Sequence, residues 1–257
     1  SCHLDLDEDG LVWIEDDVHT RRGLSCVACH GGDQTVDDPD EAKARGTGFV
    51  GAPSRTQIPD FCGKCHNNAV YIRDFDPGLR VDQLDLYWTS VHGEKLRAGD
   101  ENVATCIDCH DNHGILSSVD ARSWVHPSNV PETCGRCHAD EERMAPYGIP
   151  TDQLEKFKLS VHGHLLESGA RGAPTCNVCH GNHGATPPGV SSVSNVCGQC
   201  HPLNADLIRK SPHGSAFEML EVAACESCHG HHDIIQPHDQ MLGTGPQSFC
   251  TECHEED

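Results

Sequence analysis

The pentapeptide Cys-x-x-Cys-His occurs eight times in this 257-residue sequence. The copies span Cys26–His30, Cys62–His66, Cys106–His110, Cys134–His138, Cys176–His180, Cys197–His201, Cys225–His229 and Cys250–His254. Two thiols at this spacing can reach the two neighbouring vinyl groups of a porphyrin, and the adjacent imidazole then lies beneath the metal. The pattern is the attachment signature of haem c, and it predicts eight covalently attached haems.

Sixteen of the seventeen cysteines belong to these motifs and are the predicted haem-attachment residues. They are Cys26, Cys29, Cys62, Cys65, Cys106, Cys109, Cys134, Cys137, Cys176, Cys179, Cys197, Cys200, Cys225, Cys228, Cys250 and Cys253. Other uses of paired cysteines fit less well. Zinc ribbons need two Cys-x-x-Cys pairs per metal and no following histidine. Neither a disulfide framework nor a redox dithiol explains the eight histidines.

An internal repeat organises the chain. Residues 81–114 and 151–184 align without a gap and share 16 of 34 positions. The shared elements are Ser-Val-His-Gly ahead of a motif and Cys-His-x-Asn-His-Gly around its end. A shorter copy contains Ser211–Gly214 and His232, and a degenerate copy has Val18-His19 followed by Asp33 in place of the later histidine.

Each copy of the repeat carries a second motif 21 to 36 residues after its first. Repetition of this kind indicates an array of similar units. We therefore predict four di-haem modules that form one continuous haem chain rather than independent domains. They cover residues 1–79 (module 1), 80–147 (module 2), 148–202 (module 3) and 203–257 (module 4).

The motif histidines are the predicted proximal iron ligands: His30, His66, His110, His138, His180, His201, His229 and His254. Twelve further histidines are available for the opposite, distal face of the irons. The leading histidines, ahead of the first motif of a module, are His19, His92, His162 and His213. The trailing histidines, three residues after a first motif, are His113, His183 and His232.

A trailing histidine is predicted to ligate the iron of a neighbouring haem, which would hold two haems in close contact. Module 1 has no trailing histidine, so its haems need ligands from elsewhere, and His19 and His126 are the candidates. His3 and His238 are further distal candidates, whereas His164 and His231 are spare. With only three methionines in the chain, we expect bis-histidine ligation, which gives lower potentials than His/Met ligation.

Composition predicts the fold class. Apolar residues make up 36% of the chain, below the roughly 45–50% of ordinary globular domains. Such a chain has difficulty burying a conventional core, but eight porphyrins would supply large flat apolar faces. We therefore expect mostly coil with short α-helices and little or no β-structure, wrapped around the haems.

Local signals predict a helix around the leading histidines of modules 2 and 3. Asp82 and Asp152 are placed as N-caps, and the apolar residues Leu84, Tyr87 and Val91 recur with helical spacing. Gly99 and Gly169 are suited to end these helices. His92 and His162 lie one position away from the apolar stripe, on a face that could meet a haem.

Charge and length restrict the partners. The chain has a formal net charge of −22, which disfavours binding to nucleic acid or anionic lipid. No apolar stretch approaches the ~20 residues of a membrane span, so no transmembrane segment is predicted. Thioether attachment of haem takes place outside the cytoplasmic membrane, and we therefore expect an exported protein, periplasmic or extracellular.

The chain resembles multihaem c-type cytochromes with doubled Cys-x-x-Cys-His motifs, through its motifs, its Ser-Val-His-Gly elements and its Cys-His-x-Asn-His-Gly elements. Its eight motifs match the number in the octahaem members of that family. The resemblance covers essentially the whole chain. It implies an electron carrier rather than an enzyme, with redox proteins or extracellular electron acceptors as partners. Some such relatives form filaments, and others are monomeric periplasmic shuttles.

One alternative is a multihaem reductase with a single open-coordination haem, acting on nitrite, hydroxylamine or a sulfur oxyanion. Substrate chemistry at iron needs a vacant sixth position, and twelve spare histidines argue against one. The Cys-x-x-Cys-Lys motif of nitrite reductase-like relatives does not occur in the sequence.

The first residues, Ser1-Cys2-His3, admit two interpretations. They match the second half of a ninth motif, which would add a ninth haem. Alternatively, Cys2 is a lone thiol, and His3 at a mobile terminus ligates a haem of an adjacent copy in trans. Head-to-tail ligation of that kind would generate a homopolymer.

Overall fold

The chain folds into short helices joined by turns and coil, as a computed structural model that describes residues 14–189, 193–236 and 248–254. The α-helices in these ranges contain four to nine residues each, and no β-strand occurs in them. The predicted combination of short helices and coil without a sheet is therefore confirmed for the described part of the chain. The residues divide into two compact units.

The first unit comprises the chain up to Thr133 together with Gly181–Thr186. Its helices are α1 (Val18–Arg21), α2 (Cys26–His30), α3 (Pro39–Ala42), α4 (Ile58–His66), α5 (Ala69–Phe75), α6 (Gln83–Thr89), α7 (Val91–Arg97) and α8 (Cys106–His110), with a 3₁₀ turn at Arg55–Gln57. Helix α9 (Val130–His138) begins in this unit. Gly63 of α4 packs on Leu84 of α6 so closely that an added Cβ would lie 2.4 Å from Leu84 Cδ2.

The second unit comprises Cys134–His180 and the chain from Pro187 onwards. Its helices are α10 (Glu141–Met144), α11 (Gln153–Leu159), α12 (Val161–Glu167), α13 (Cys176–His180), α14 (Val193–Gly198), α15 (Pro202–Lys210), α16 (Pro212–Met219) and α17 (Glu226–His229), with 3₁₀ turns at Ala145–Tyr147 and Phe249–Glu252. The packing of the first unit recurs here. Gly135 lies against Leu154, where an added Cβ would be 2.4 Å from Leu154 Cδ2.

A buried serine divides each of the helices predicted around the leading histidines, and the expectation of one continuous helix was wrong. The Ser90 hydroxyl donates to the Tyr87 carbonyl at the end of α6 (2.6 Å) and accepts from the Gly93 N–H in the first turn of α7 (2.9 Å). Ser160 does the same between α11 and α12. Serine is a preferred N-cap, so the serine of Ser-Val-His-Gly starts a new helix. Asp82 precedes α6 but makes no capping hydrogen bond with its side chain.

The glycine of Ser-Val-His-Gly lets consecutive helices cross in backbone contact. A Cβ on Gly93 would lie 2.1 Å from the Tyr87 carbonyl oxygen, and one on Gly163 would lie 2.1 Å from that of Phe157. No other residue type allows this approach without moving the helices apart. The leading histidine therefore lies on a short helix whose position is fixed by a serine before it and a glycine after it.

The predicted helix ends at Gly99 and Gly169 are confirmed. Gly99 has φ of +97°, its N–H donates to the Leu96 carbonyl (2.9 Å), and the next N–H, of Asp100, donates to Lys95 (3.0 Å). This is the Schellman arrangement, which favours glycine. Module 4 ends its equivalent helix α16 with Glu221 in the left-handed region, at φ of +53°.

Apolar burial is sparse in both units. The buried apolar residues of the described ranges are Ala42, Ile58, Ile72, Tyr87, Leu96, Val103, Val130, Met144, Val193, Ala205 and Ala223. In contrast, Leu203 of α15 is 68% exposed and Leu159 of α11 is 66% exposed. No helix in the described part of the chain is both long enough and apolar enough to cross a membrane.

Candidate functional site

The motif helices place two thiols and an imidazole on one face. Residues i, i+3 and i+4 of a helix are neighbours on its surface, and this is the spacing of Cys, Cys and His in the motif. Six of the eight motif histidines are the last residue of their helix: His30, His66, His110, His138, His180 and His229. Each thiol pair is thereby held beside the imidazole that follows it.

The chain turns sharply after the first motif of every module. The residue that follows the motif histidine has a positive φ at Gly31, Asp111, Gly181 and Gly230. This backbone conformation ends the helix and redirects the chain. As a result, the trailing histidine two residues further on leaves the face of its own motif and reaches another one.

Trailing histidines face the first motif of the preceding module. The ring centroids of His30 and His113 are 6.1 Å apart, and those of His110 and His183 are 6.0 Å apart. In the second unit, His180 and His232 are 5.9 Å apart with nearly parallel rings. The direction of pairing is the same each time, from a module to the one after it.

Leading histidines face the second motif of their own module. The ring centroids of His19 and His66 are 6.0 Å apart. Module 3 pairs His162 with His201 at 6.3 Å, and module 4 pairs His213 with His254 at 6.0 Å. The structure thus brings six motif histidines together with six of the predicted distal ligands.

A backbone hydrogen bond recurs where a leading helix meets the next trailing histidine. The N–H of Val18 donates to the carbonyl of Ile115 (2.8 Å), two residues after His113. The equivalent bonds run from Val91 to Ala185 (3.1 Å) and from Val161 to Ile234 (2.9 Å). One contact therefore fixes both kinds of imidazole pair, because its donor precedes a leading histidine and its acceptor follows a trailing one.

Thiols of successive motifs also lie together. The side chain of Cys62 lies close to that of Cys106, and the same holds for Cys134 with Cys176 and for Cys197 with Cys225. Each pair joins the second motif of one module to the first motif of the next. Within modules 1 and 3, the second cysteine of the first motif lies near both cysteines of the second motif. In these parts of the chain, motifs that are consecutive in the sequence therefore also lie next to each other in space.

Burial favours the neutral form of five of the facing imidazoles. It lowers the pKa of His110 to about 4, and it also lowers the pKa of His232 to about 4. The pKa values of His66, His162 and His183 are lowered for the same reason. A neutral imidazole has the free lone pair that a metal requires, so these side chains are ready to ligate at neutral pH.

The pair distances fit one iron atom between two rings. An imidazole nitrogen binds a metal at about 2.0–2.1 Å, so two imidazoles on opposite sides of one metal have centroids about 6.3 Å apart. The observed separations of 5.9–6.3 Å match this value. In addition, the buried Nδ1 of His232 has no hydrogen-bond partner among the described residues.

The donor set fits a planar macrocycle better than a bare ion. No cluster of three or more His, Cys, Asp or Glu side chains suited to a metal occurs among the described residues, so each pair offers two protein ligands only. A porphyrin would supply four further ligands and a flat apolar surface. The residues therefore fit haem c, with the motif thiols on the face of the imidazole.

His92 and His126 are the other two predicted distal ligands in the described ranges. His92 is half-buried in α7, at the position that His162 has in α12. His126 forms a hydrogen bond with the Ser128 hydroxyl (2.7 Å) rather than facing a motif of module 1; His113 and His19 occupy those places. His164 is exposed beside Glu167.

Two further histidines of the described ranges, His231 and His229, lie outside these pairs. The ring of His231 lies beside that of His232, with centroids 4.8 Å apart. Within the described ranges, His229 has no contact with another imidazole ring. Cys2, His3 and His238 lie outside these ranges, and their predicted roles stay predictions.

Two hydrogen-bond acceptors behind the imidazoles were missed by the sequence analysis. The Gly51 carbonyl lies 2.8 Å from His30 Nδ1, and the Asp17 carboxylate lies 3.1 Å from His19 Nδ1. Burial alone raises the pKa of Asp17, but hydrogen bonds from His19 and Ile115 outweigh it and lower the pKa. The repeat contains a signal for Asp17, since it stands where Ser90, Ser160 and Ser211 stand in the other modules. Gly51 has no such signal.

Comparisons with protein-family models, with curated proteins and with solved structures found no match to this chain.

Proposed function

We propose that this protein transfers electrons along a row of c-type haems. The observation that carries the proposal is the set of six imidazole pairs, each joining a motif histidine to a non-motif histidine at the separation expected across one iron. Bound haem would supply a one-electron Fe(III)/Fe(II) couple at each site. The chain would provide attachment through the motif thiols and axial ligation from both sides.

The fixed position of both imidazoles suits electron transfer. His92 and His162 each follow a buried capping serine and precede a glycine at a helix crossing, and His19 follows the buried cap Asp17. Each trailing histidine is held by the turn after a motif and the backbone bond beyond it. Such anchoring keeps both ligands in place when the charge at the site changes. It also fills the sixth position, which leaves no room for substrate at these six sites.

The order of the motifs supports a path through the molecule. Thiol contacts such as Cys62 with Cys106 bring the attachment points of consecutive sites together. Electron tunnelling falls exponentially with distance, so transfer between sequence neighbours would dominate. We propose four di-haem modules carrying eight haems, with His92 as the distal ligand contributed by the leading helix of module 2. Because haem c is attached outside the cytoplasm, we further propose an exported protein.

Replacement of one trailing histidine tests the proposal. His113→Ala should leave eight haems in the intact mass and convert one low-spin haem to high spin in the electron paramagnetic resonance spectrum. His164→Ala is the matched control, because His164 is exposed and faces no motif. A wild-type mass without eight haems would end the proposal, and so would a His113→Ala spectrum identical to that of the wild type.

A second candidate function, reduction of a small substrate at one open iron, is favoured by one observation. Among the described residues His229 has no facing imidazole, because the first motif of a module takes its partner from the module after it. Carbon monoxide added to the reduced protein tests this candidate. A spectral shift amounting to one haem, lost in His229→Ala, supports it, and the absence of any shift excludes it.

A further inference from the structure

Asp17 sets module 1 apart from the other modules. It caps the leading helix α1, at the repeat position that holds Ser90, Ser160 and Ser211 in the later modules. The residue is buried, at 5% exposure. A buried carboxylate in place of a hydroxyl carries a charge into a site of otherwise neutral side chains, and such a group needs several hydrogen bonds.

Both oxygens of Asp17 are used. Oδ1 accepts from the His19 N–H at 2.7 Å and lies 3.1 Å from Nδ1 of the same residue. Oδ2 accepts from the Ile115 N–H at 2.8 Å. The carboxylate therefore contacts the ring of one distal ligand candidate and the loop that carries another, His113.

The serines at the same position have other roles. The hydroxyls of Ser90 and Ser160 donate to carbonyls of the preceding helix and accept from the N–H of Gly93 and Gly163. They bind backbone, and they carry no charge. Arg21 and Arg122 both pair with the neighbouring carboxylate of Asp16.

We infer that Asp17 is a positioning residue that makes His19 a more electron-donating ligand and so lowers the reduction potential of the haem attached at Cys62–His66. The inference rests on the proposed function. An imidazole that ligates through Nε2 carries its proton on Nδ1, and a carboxylate that accepts this hydrogen bond increases the basicity of the ring. A more basic axial ligand stabilises Fe(III) over Fe(II), which moves the potential downward.

The test is a spectroscopic redox titration of the complete haem-loaded protein and two variants. Asp17→Asn keeps the side-chain shape and removes the charge, and Asp17→Ser installs the residue that caps the equivalent helices of the other modules. Both should raise the midpoint of about one-eighth of the haem absorbance and leave all haems low-spin. Asp16→Asn is the control, because it makes the same change of net charge one residue away without contacting His19.

Each outcome decides one question. A rise with Asp17→Asn and Asp17→Ser, but not with Asp16→Asn, supports the inference. Unchanged midpoints in Asp17→Ser, with eight haems bound, overturn it and leave the proposed function intact, even if the variant is less stable. If Asp17→Asn does not fold, Asp17→Ser decides alone. A wild-type protein without haem would instead end the proposed function.

Discussion

Arg55 links modules 1 and 2 with a single side chain. Its guanidinium donates to the carbonyls of Glu101 (2.6 Å) and Val103 (2.7 Å) and to the carboxylate of Asp108 (2.7 Å). Asp108 lies inside the first motif of module 2 and also accepts from the N–H of Thr105 (2.6 Å). Burial alone raises the pKa of Asp108, but the bonds from Thr105 and Arg55 lower it overall.

Arg55→Ala should lower the free energy of unfolding by about 1–3 kcal/mol at pH 7, because it removes charged hydrogen bonds at a partly buried site. The pKa of Asp108 is depressed in the folded protein, so its contribution is present above the unfolded value near 3.8 and is lost as the pH falls through the folded pKa. Urea unfolding at several pH values should therefore show that the free energies of unfolding of the wild type and of Arg55→Ala converge as the pH falls. Arg45→Ala, at an exposed arginine, is the control, and an equal loss in that variant would contradict the assignment.

At the scale of single residues, sequence spacing identified which histidines take part in the imidazole pairs. It did not identify which motif histidine each of them faces. His113 was predicted to serve a neighbouring haem, and the structure brings it to His30 of the preceding module. His126 was predicted for module 1, but its ring is bonded to Ser128. The position of His113 opposite His30 depends on a turn at Asp111 and on a backbone hydrogen bond between Val18 and Ile115. The spacing of the histidines in the sequence predicts neither feature.

The crossing of α6 and α7 depends on Gly93. Gly93→Ala should lower the free energy of unfolding by about 1–3 kcal/mol, because the added methyl group overlaps the Tyr87 carbonyl and forces the helices apart. If His92 is a haem ligand as proposed, the change should also disturb it and produce a high-spin fraction. Gly184→Ala is the control, since its nearest neighbour would lie at an ordinary 3.6 Å. Thermal unfolding and electron paramagnetic resonance are the measurements, and equal behaviour of the two variants would contradict the packing argument.

The end of α16 offers a stabilising change. Glu221 adopts φ of +53°, a conformation that costs a non-glycine residue roughly 1–2 kcal/mol. Glu221→Gly should therefore raise the free energy of unfolding by about 1 kcal/mol after the greater chain entropy of glycine is counted. Glu218→Gly, within the same helix, should lower it by about the same amount. Chemical denaturation measures both, and a stabilising Glu218→Gly together with a destabilising Glu221→Gly would refute the reasoning.

At the scale of helices, glycine terminators and apolar spacing predicted the right segments and the right ends. The break at Ser90 was missed because the serine was treated as part of a repeated motif and not as a cap. Apolar spacing from Leu84 through Val91 is compatible with one helix or with two. Only the Gly93 approach to Tyr87, a contact between helices, distinguishes them.

The described part of the chain buries too few apolar side chains to be held together by them alone. Eleven apolar residues are buried in the described ranges, and a small core of this kind rarely offsets chain entropy. Chemical cleavage of the thioethers and removal of haem should therefore abolish most of the helical circular dichroism and any cooperative melting. Carboxymethylation of exposed side chains without haem loss is the control treatment. A haem-free chain that still melts cooperatively would contradict the proposed haem core.

Composition predicted the small apolar core and the lack of strands that residues 14–189, 193–236 and 248–254 show. It could not predict the two compact units, which depend on contacts between distant segments. Gly181–Thr186 packs with the first unit although the residues on either side belong to the second. The four-module division stays a prediction, and it describes the repeat in sequence rather than the grouping in space.

The one-module offset of the trailing histidines restricts how an array of this kind can change in length during evolution. The first motifs of modules 1 to 3 each face a histidine of the following module. Deletion or tandem duplication of one complete repeat, such as the 70-residue interval between residues 81 and 151, therefore keeps motif histidines and trailing histidines paired. A change of half a repeat would leave an imidazole unmatched on each side of the join. We therefore expect recombination to add or remove the proposed haem sites of such an array two at a time.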